Sequence, residues 1–243
     1  MLTLKRSCPR PPLGRQDKSL TYGSAIGTKF YENGDVRTYP GNTVVADVTP
    51  ECPAYHVMCA LHQMVLDYGL DSHQILLPKD SYHMTVIRGV NDQVRKPTHW
   101  PKEGLAMDAP MTEVDDYITK AVTSVPMPQK MRMKLDRAML NAGDIKILLW
   151  PADEEQAKIL RDYRDAVANA IDLFLPGHDD YRFHITLSYT RVIAEGEDAV
   201  RMEKMLEEMN RLIKDQPDVE ITAPYMAYYN DMMAFSPVRI PRK

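Results

Sequence analysis

Apolar and polar positions along the chain alternate with two periods, and these divide it into short strands and helices. An apolar run from Thr43 to Val48 reads as a strand closed by Thr49 and Pro50, after which Val57, Leu61, Val65 and Tyr68 recur at helical spacing until Gly69. A second strand is predicted from Tyr82 to Ile87. Residues 89–112 hold Pro97, Pro101 and Pro110 and read as a loop insertion, with Thr112 capping a helix that bears Val114, Ile118 and Ala121. Met131, Met133 and Leu135 alternate with Arg132, Lys134 and Asp136, the period of a strand with one charged face, and Asp144 to Trp150 forms the next strand. Asp153, with Gln156 three residues on, opens a helix carrying Leu160, Tyr163, Val167, Ile171 and Phe174 that stops at Pro176 and Gly177. A strand from Phe183 to Tyr189 follows. The remainder is a helix from about Asp198 to Lys214, with a core stripe of Met202, Met205 and Met209, and Tyr-rich strands near 219–228 and 232–238.

Ahead of these elements, residues 1–28 are rich in Pro, Arg, Ser and Gly and read as an irregular arm. Lys29 to Tyr39, with Asn33 and Gly34 between β-prone runs, is predicted to form a small hairpin with a structural role. The chain is thus divided into an arm and hairpin over 1–42 and a main body over 43–243.

The main body repeats itself. Strand, Pro50, helix and strand in the first half match strand, Pro151, helix and strand in the second, and Pro50 to Pro151, His83 to His184 and Thr85 to Thr186 are each 101 residues apart. This predicts an α+β protein of two βαβ-containing lobes, about 43–136 and 144–238, with antiparallel-rich sheets side by side around a central cleft and helices outside.

Composition narrows the picture. The 243 residues carry 30 Lys and Arg against 34 Asp and Glu, so a net charge of -4 excludes a protein that grips long nucleic acid through a basic surface, while leaving a short or terminal nucleotide open. No window has the ~18 unbroken apolar residues of a membrane span, and Leu4, Lys5 and Arg6 do not open a secretory signal, so a cytoplasmic location away from membranes is expected. Cys8, Cys52 and Cys59 lack both disulfide-framework and zinc-ribbon spacing, and Cys59 is expected to be buried in a helix.

The repeated strands read His83-Met84-Thr85-Val86 and His184-Ile185-Thr186-Leu187. Residues i and i+2 of a strand share a face about 6 to 7 Å apart, so each His is placed beside its own Thr while the apolar pair turns to the core. Neutral and protonated imidazoles coexist near pH 6.5, so one His can accept a proton while the other donates one. The Thr hydroxyls are neutral donors suited to the non-bridging oxygens of a phosphodiester and its pentacoordinate transition state. In-line displacement at phosphorus needs base and acid on opposite sides, which two strands related by a pseudo-twofold axis supply.

These paired His-x-Thr strands in a duplicated lobe resemble the 2H phosphoesterase superfamily, which includes 2',5' RNA ligase-like proteins and 2',3'-cyclic nucleotide phosphodiesterases. Pro40-Gly41-Asn42-Thr43 and Ser81-Tyr82-His83-Met84-Thr85-Val86 followed by Gly89 look like an uncharacterised branch of it. The resemblance implies a 2',5' RNA ligase-like fold and makes His83 and His184 the general acid and base, in an order left open. Thr85 and Thr186 become the phosphate donors. It implies a hydrolase needing no metal or cofactor, acting on a cyclic phosphate or a 2',5'-phosphodiester in a small nucleotide or at an RNA end. Many relatives carry an aromatic after the first tetrad; here Arg88 and Tyr189 follow the two tetrads, and with Tyr82 they are the further candidate cleft contacts.

Other residues are compatible with other chemistry. His178, Asp179, Asp180 and His184 have the side chains of a metal-dependent hydrolase but no second set at helical spacing. A binding module of the same fold, holding a nucleotide or phosphate without turnover, would use the same four side chains. Arg132, Lys134 and Lys146 read as a solvated face, Ser188 as a hydroxyl sharing the face of Thr186, Tyr225, Tyr228 and Trp150 as packing aromatics, and Trp100 as part of an insertion able to cover the cleft. Substrate identity and oligomeric state are not encoded in any pattern of this kind.

Overall fold

A computed structural model describes residues 20–238, so the part of the arm before residue 20, Cys8 included, lies outside the described residues. The chain folds as α+β: β1 (Gly41–Asp47), α1 (Pro53–Asp67), β2 (Gln74–Leu76), β3 (His83–Asn91), α2 (Met111–Thr123), β4 (Met131–Leu140), β5 (Asp144–Pro151), α3 (Glu154–Ala170), β6 (Phe183–Thr190), α4 (Glu197–Lys214), β7 (Val219–Ile221) and β8 (Tyr225–Tyr229). The expected pair of sheets is instead one eight-stranded sheet in the order β7-β4-β5-β6-β3-β1-β8, with β2 on β6. All of its pairings are antiparallel.

Two features make the sheet continuous. The inner strands of the two repeats join directly, with Met84 opposite Ile185 where β3 meets β6. The last long strand of each repeat is also exchanged: β4, from the first half of the sequence, lies on β5 of the second, while β8, from the second half, lies on β1 of the first. The pseudo-twofold relation therefore holds in space, between β8-β1-β3 and β4-β5-β6, although each spatial half takes a strand from the other half of the chain.

Alternation along the strands assigns the faces. Met84, Val86, Ile145, Ile147, Ile185 and Leu187 are buried and belong to one core cluster with Val57, Leu61 and Val65 of α1, Val114 and Ile118 of α2, Leu160 and Val167 of α3, and the predicted Met202, Met205 and Met209 of α4. Each buried aliphatic side chain of this kind contributes roughly 1.5–3 kcal/mol. The opposite sheet face carries His83, Thr85, His184 and Thr186.

Local sequence accounts for most boundaries. The Asp153 side chain accepts from the Gln156 backbone N–H as the N-cap of α3. Several boundaries differ from the sequence reading: α3 ends at Ala170 with Ile171 as its C-cap, so Phe174 lies beyond the helix and is exposed. Thr112 is inside α2, whose N-cap position is Pro110 without a side-chain cap; proline's fixed φ suits a helix start, and its carbonyl accepts from Glu113 and Val114 N–H. β3 runs on to Asn91, and in place of a second strand over 232–238 there is a single bridge, Ser236 to Tyr228. The hairpin around Asn33 and Gly34 reduces to isolated bridges, with Gly34 at φ +92° in the turn. Cys59 lies in α1, half-buried rather than buried.

Candidate functional site

Each His-x-Thr strand is bent by a bulge at the same place. The β1–β3 register shifts between Val44 and Val45, so that Val45 pairs Thr85 and Val44 pairs Ile87. The β5–β6 register shifts between Ile145 and Lys146, so that Lys146 pairs Thr186 and Ile145 pairs Ser188. In both, the residue just after the Thr is the extra one, and a bulge flips the alternation beyond it. The next side chain to face the cavity therefore lies three residues past the Thr. Arg88 and Tyr189 line the cavity for this reason, whereas Ser188 is buried and donates its Oγ hydrogen to Gln74 Oε1 at 2.8 Å.

The cavity over this sheet face has a volume of about 820 Å³ and is lined by His83, Thr85, His184 and Thr186 together. With Met84 opposite Ile185 in an antiparallel pair, His83 falls across from Thr186 and Thr85 across from His184. The two histidines are then diagonal neighbours, with Cα positions roughly 7–8 Å apart. That interval suits one phosphate held between two side chains.

Both imidazoles are held in one tautomer by the same contact. His83 Nδ1 lies 2.8 Å from the Ser81 carbonyl and His184 Nδ1 lies 2.8 Å from the Arg182 carbonyl. A carbonyl only accepts, so each Nδ1 carries the hydrogen and each Nε2 is left for chemistry, as a base when the ring is neutral and an acid when it is protonated. Burial pushes the His83 pKa down to about 4, against an opposing bond from the Ser81 carbonyl. Burial also lowers that of His184, with Lys146 and Arg88 acting in the same sense and the Arg182 carbonyl and the Asp144 carboxylate opposing. Phe235 packs on the His83 ring at 4.1 Å between centroids, and Tyr181 lies 6.2 Å from that of His184.

A buried arginine braces the first strand. Arg164 of α3 is 6% exposed and donates to the Val86 carbonyl at 2.5 Å and the His178 carbonyl at 2.8 Å, with its guanidinium 4.2 Å from the centre of the Tyr181 ring. Val86 is the extra residue of the bulge, and Tyr181 in turn donates to the Thr85 carbonyl at 3.2 Å. Asn42 performs the corresponding task at the far end of β3, accepting from Val90 N–H at 2.8 Å and donating to Asp115 Oδ1 at 2.9 Å. A Cβ at Gly89 would stand 2.1 Å from Asn42 Oδ1, which gives the Asn42 and Gly89 of the sequence pattern a packing reason.

The cavity is cationic although the chain is acidic. Lys29, Arg88, Arg137, Lys146 and Arg182 line it against two carboxylates, Asp144 and Asp180. Lys146 is therefore a cavity residue, ion-paired with Asp144 at 3.1 Å, and not part of a solvated face. Arg132 is solvated as expected, paired with Asp153.

Several sequence candidates lie elsewhere. Tyr82 is 2% exposed and bonds His62 Nδ1 at 2.9 Å through its hydroxyl; it precedes His83 and so points to the core face. Tyr225 bonds Asp47 and Tyr228 bonds Thr119, while Trp150 stacks under Arg182. Trp100 is buried and donates to the Leu105 carbonyl, so it anchors the insertion, of which Val94 and His99 reach the cavity. His178 bonds Asp165 at 2.8 Å, and among the described residues no group of three or more His, Cys, Asp or Glu is placed to hold a metal ion. Among the same residues no helix is long and apolar enough to cross a membrane. Sequence reasoning missed Lys29, Tyr39, Tyr181, Tyr229 and Phe235 as cavity residues, because they come from turns and edges without periodicity.

Comparison with known proteins bears on the family and the fold. Residues 29–144 match the family model described as "2H-phosphodiest: Domain of unknown function (DUF1868)". The first tetrad falls within that stretch, and the second is its structural repeat. A crystal structure of a conserved protein of unknown function, ATU0111 from Agrobacterium tumefaciens str. C58, is 29% identical and superposes with a TM-score of 0.79 over 90% of this chain and 92% of that one. TT0787 of Thermus thermophilus is 13% identical over 77% of this chain and 85% of that one, at a TM-score of 0.40. No curated protein matches.

Proposed function

From a chain that carries a 2H-phosphodiest domain, we propose a metal-independent phosphoesterase that hydrolyses a cyclic phosphate of the 2',3'-nucleotide type, or a 2',5'-phosphodiester, by two-histidine acid-base catalysis. The observation that carries this reading is the pair of imidazoles, each locked through Nδ1 on the carbonyl two residues back, with Nε2 left for a shared cationic cavity. Thr85 and Thr186 donate to the non-bridging oxygens, one imidazole takes the proton of the attacking water, and the other protonates the departing ribose oxygen.

The surroundings divide the two roles. Burial holds His83 neutral at pH 7, with no carboxylate offsetting it, so it is the base. Burial, Lys146 and Arg88 lower the His184 pKa as well, but there the Asp144 carboxylate opposes them and no carboxylate opposes burial at His83, so His184 is assigned as the acid. Water attacks phosphorus as His83 Nε2 takes its proton, and the P–O bond to the ribose oxygen breaks as His184 Nε2–H is delivered to that oxygen. The product is a phosphomonoester.

The test is turnover of 2',3'-cyclic nucleotides, followed by phosphorus NMR in the presence of a chelator. Activity that survives chelation and falls by about 10³-fold or more in both His83→Ala and His184→Ala is expected. Binding of a 3'-nucleotide without turnover would replace the enzyme by a binding module of the same fold. Activity abolished by chelation would overturn the metal-independent mechanism.

A further inference from the structure

The cavity holds a cation that the two-imidazole reaction does not use. Lys29 enters from the hairpin ahead of the repeat, and its ammonium lies 4.6 Å from the centre of the Tyr189 ring, 5.6 Å from that of Tyr39 and 3.3 Å from Tyr189 Oη. Among the described residues no carboxylate lies within ion-pair distance of it. The nearby acid, Asp144, is occupied by Lys146 at 3.1 Å. Tyr189 spends its own hydroxyl hydrogen on Met232 Sδ at 3.4 Å, so the tyrosine oxygen accepts from Lys29 and gives it no charge partner. Burial lowers the Lys29 pKa, with Tyr39 and the more distant Asp144 carboxylate opposing and Arg88 adding to it, the direction that a bound anion would reverse.

An ammonium kept in a cavity between two rings without a counter-ion is an anion site in waiting, because a phosphate oxygen supplies what the rings supply only weakly. Its position is set by the bulge that aims Tyr189 into the cavity, three residues past Thr186, about 10 Å along the strand. Arg88 occupies the symmetry-equivalent position on β3, which runs the opposite way, so the Lys29 site belongs to one end of the cavity only.

We propose that Lys29, framed by Tyr189 and Tyr39, forms a second anion subsite, and that the preferred substrate is a phosphodiester carrying a further phosphate beyond the scissile one. The inference rests on the phosphoesterase reading for the scissile phosphate. The further phosphate is either a terminal group on the same nucleoside or the next internucleotide linkage.

The experiment compares three substrates: a 2',3'-cyclic mononucleotide, the same compound with a 5'-phosphate, and a dinucleotide ending in the cyclic phosphate. The wild type is expected to prefer one of the substrates with two phosphates about ten- to a hundredfold in kcat/KM, chiefly through KM. Lys29→Gln should collapse that ratio and Lys29→Arg should keep most of it. Preference for the 5'-phosphate identifies the terminal group, and preference for the dinucleotide alone identifies the linkage. A wild-type ratio near one, or a ratio unchanged in Lys29→Gln, overturns the subsite. If no substrate turns over, calorimetry with a nucleoside 3'-monophosphate and its 3',5'-bisphosphate separates the two claims. A Lys29-dependent preference for the bisphosphate keeps the subsite and sinks the catalytic reading, whereas equal binding, or none, sinks both.

Discussion

Replacement of Arg164 by Met tests whether the His83–Thr85 strand is held in place from behind. The change removes two bonds from a charged donor, to the buried carbonyl of Val86 and the half-buried carbonyl of His178, and leaves both oxygens without that donor. Each unpaired carbonyl costs about 1–3 kcal/mol, and loss of the contact with Tyr181 adds about 0.5–2 kcal/mol. Relief of the guanidinium's own burial, which lowers its pKa, offsets part of this, so a net loss of roughly 3–5 kcal/mol is expected. Urea denaturation reads it as a lower midpoint at constant slope. Because Val86 is the bulged residue next to Thr85, kcat/KM for the cyclic nucleotide should also fall, about ten- to a hundredfold, under conditions where the variant is folded. Tyr181→Phe, which loses only the bond to the Thr85 carbonyl, should cost about 1 kcal/mol. A loss below 1 kcal/mol for Arg164→Met, with kcat/KM unchanged, would refute the bracing argument.

Stability should fall as pH drops from 6.5 towards 4, by on the order of 3 kcal/mol at most from His83, because its folded pKa of about 4 lies below its unfolded value, so the unfolded chain binds the extra proton; His83→Gln should flatten that slope in denaturation curves. The pH profile of kcat/KM should be bell-shaped, with both limbs below the ordinary imidazole value and the acid limb near 4, and a rate rising steadily to alkaline pH would contradict the acid-base pair. Gly89→Ala brings a Cβ to 2.1 Å from Asn42 Oδ1 and 2.8 Å from its carbonyl oxygen, and should cost about 2–4 kcal/mol by thermal or chemical denaturation. Thr186→Val should lower kcat about tenfold or more and Thr186→Ser should restore most of it, whereas equal activity in both would remove the hydroxyl from the mechanism.

Much of this arrangement was legible in the sequence because it rests on short-range periodicity. The two tetrads, the Asp153 cap and the methionine stripe of α4 are local patterns, which survive folding when the core agrees with them, and the 101-residue offset follows from comparing two such patterns. What the sequence did not show is long-range. Exchange of β4 and β8 between the repeats depends on which strand edges meet, and no residue spacing records it. The bulges displaced Ser188 from the cavity and put Tyr189 there, since an extra residue breaks the period-2 rule used to assign faces. Tyr82 was misplaced for a simpler reason: it adjoins His83, and adjacent residues of an extended chain point apart. Lys29 lay in a segment assigned a purely structural role, and only the fold brings it over Tyr189.

The most direct measurement is a crystal structure with a nucleoside vanadate, whose trigonal bipyramid imitates the five-coordinate phosphorus. Vanadium held between Nε2 of His83 and Nε2 of His184, with equatorial oxygens on Thr85 Oγ1 and Thr186 Oγ1 and the rings still bonded through Nδ1 to Ser81 and Arg182, is the predicted result. Vanadate bound away from the two strands, or touching only one histidine, would contradict it.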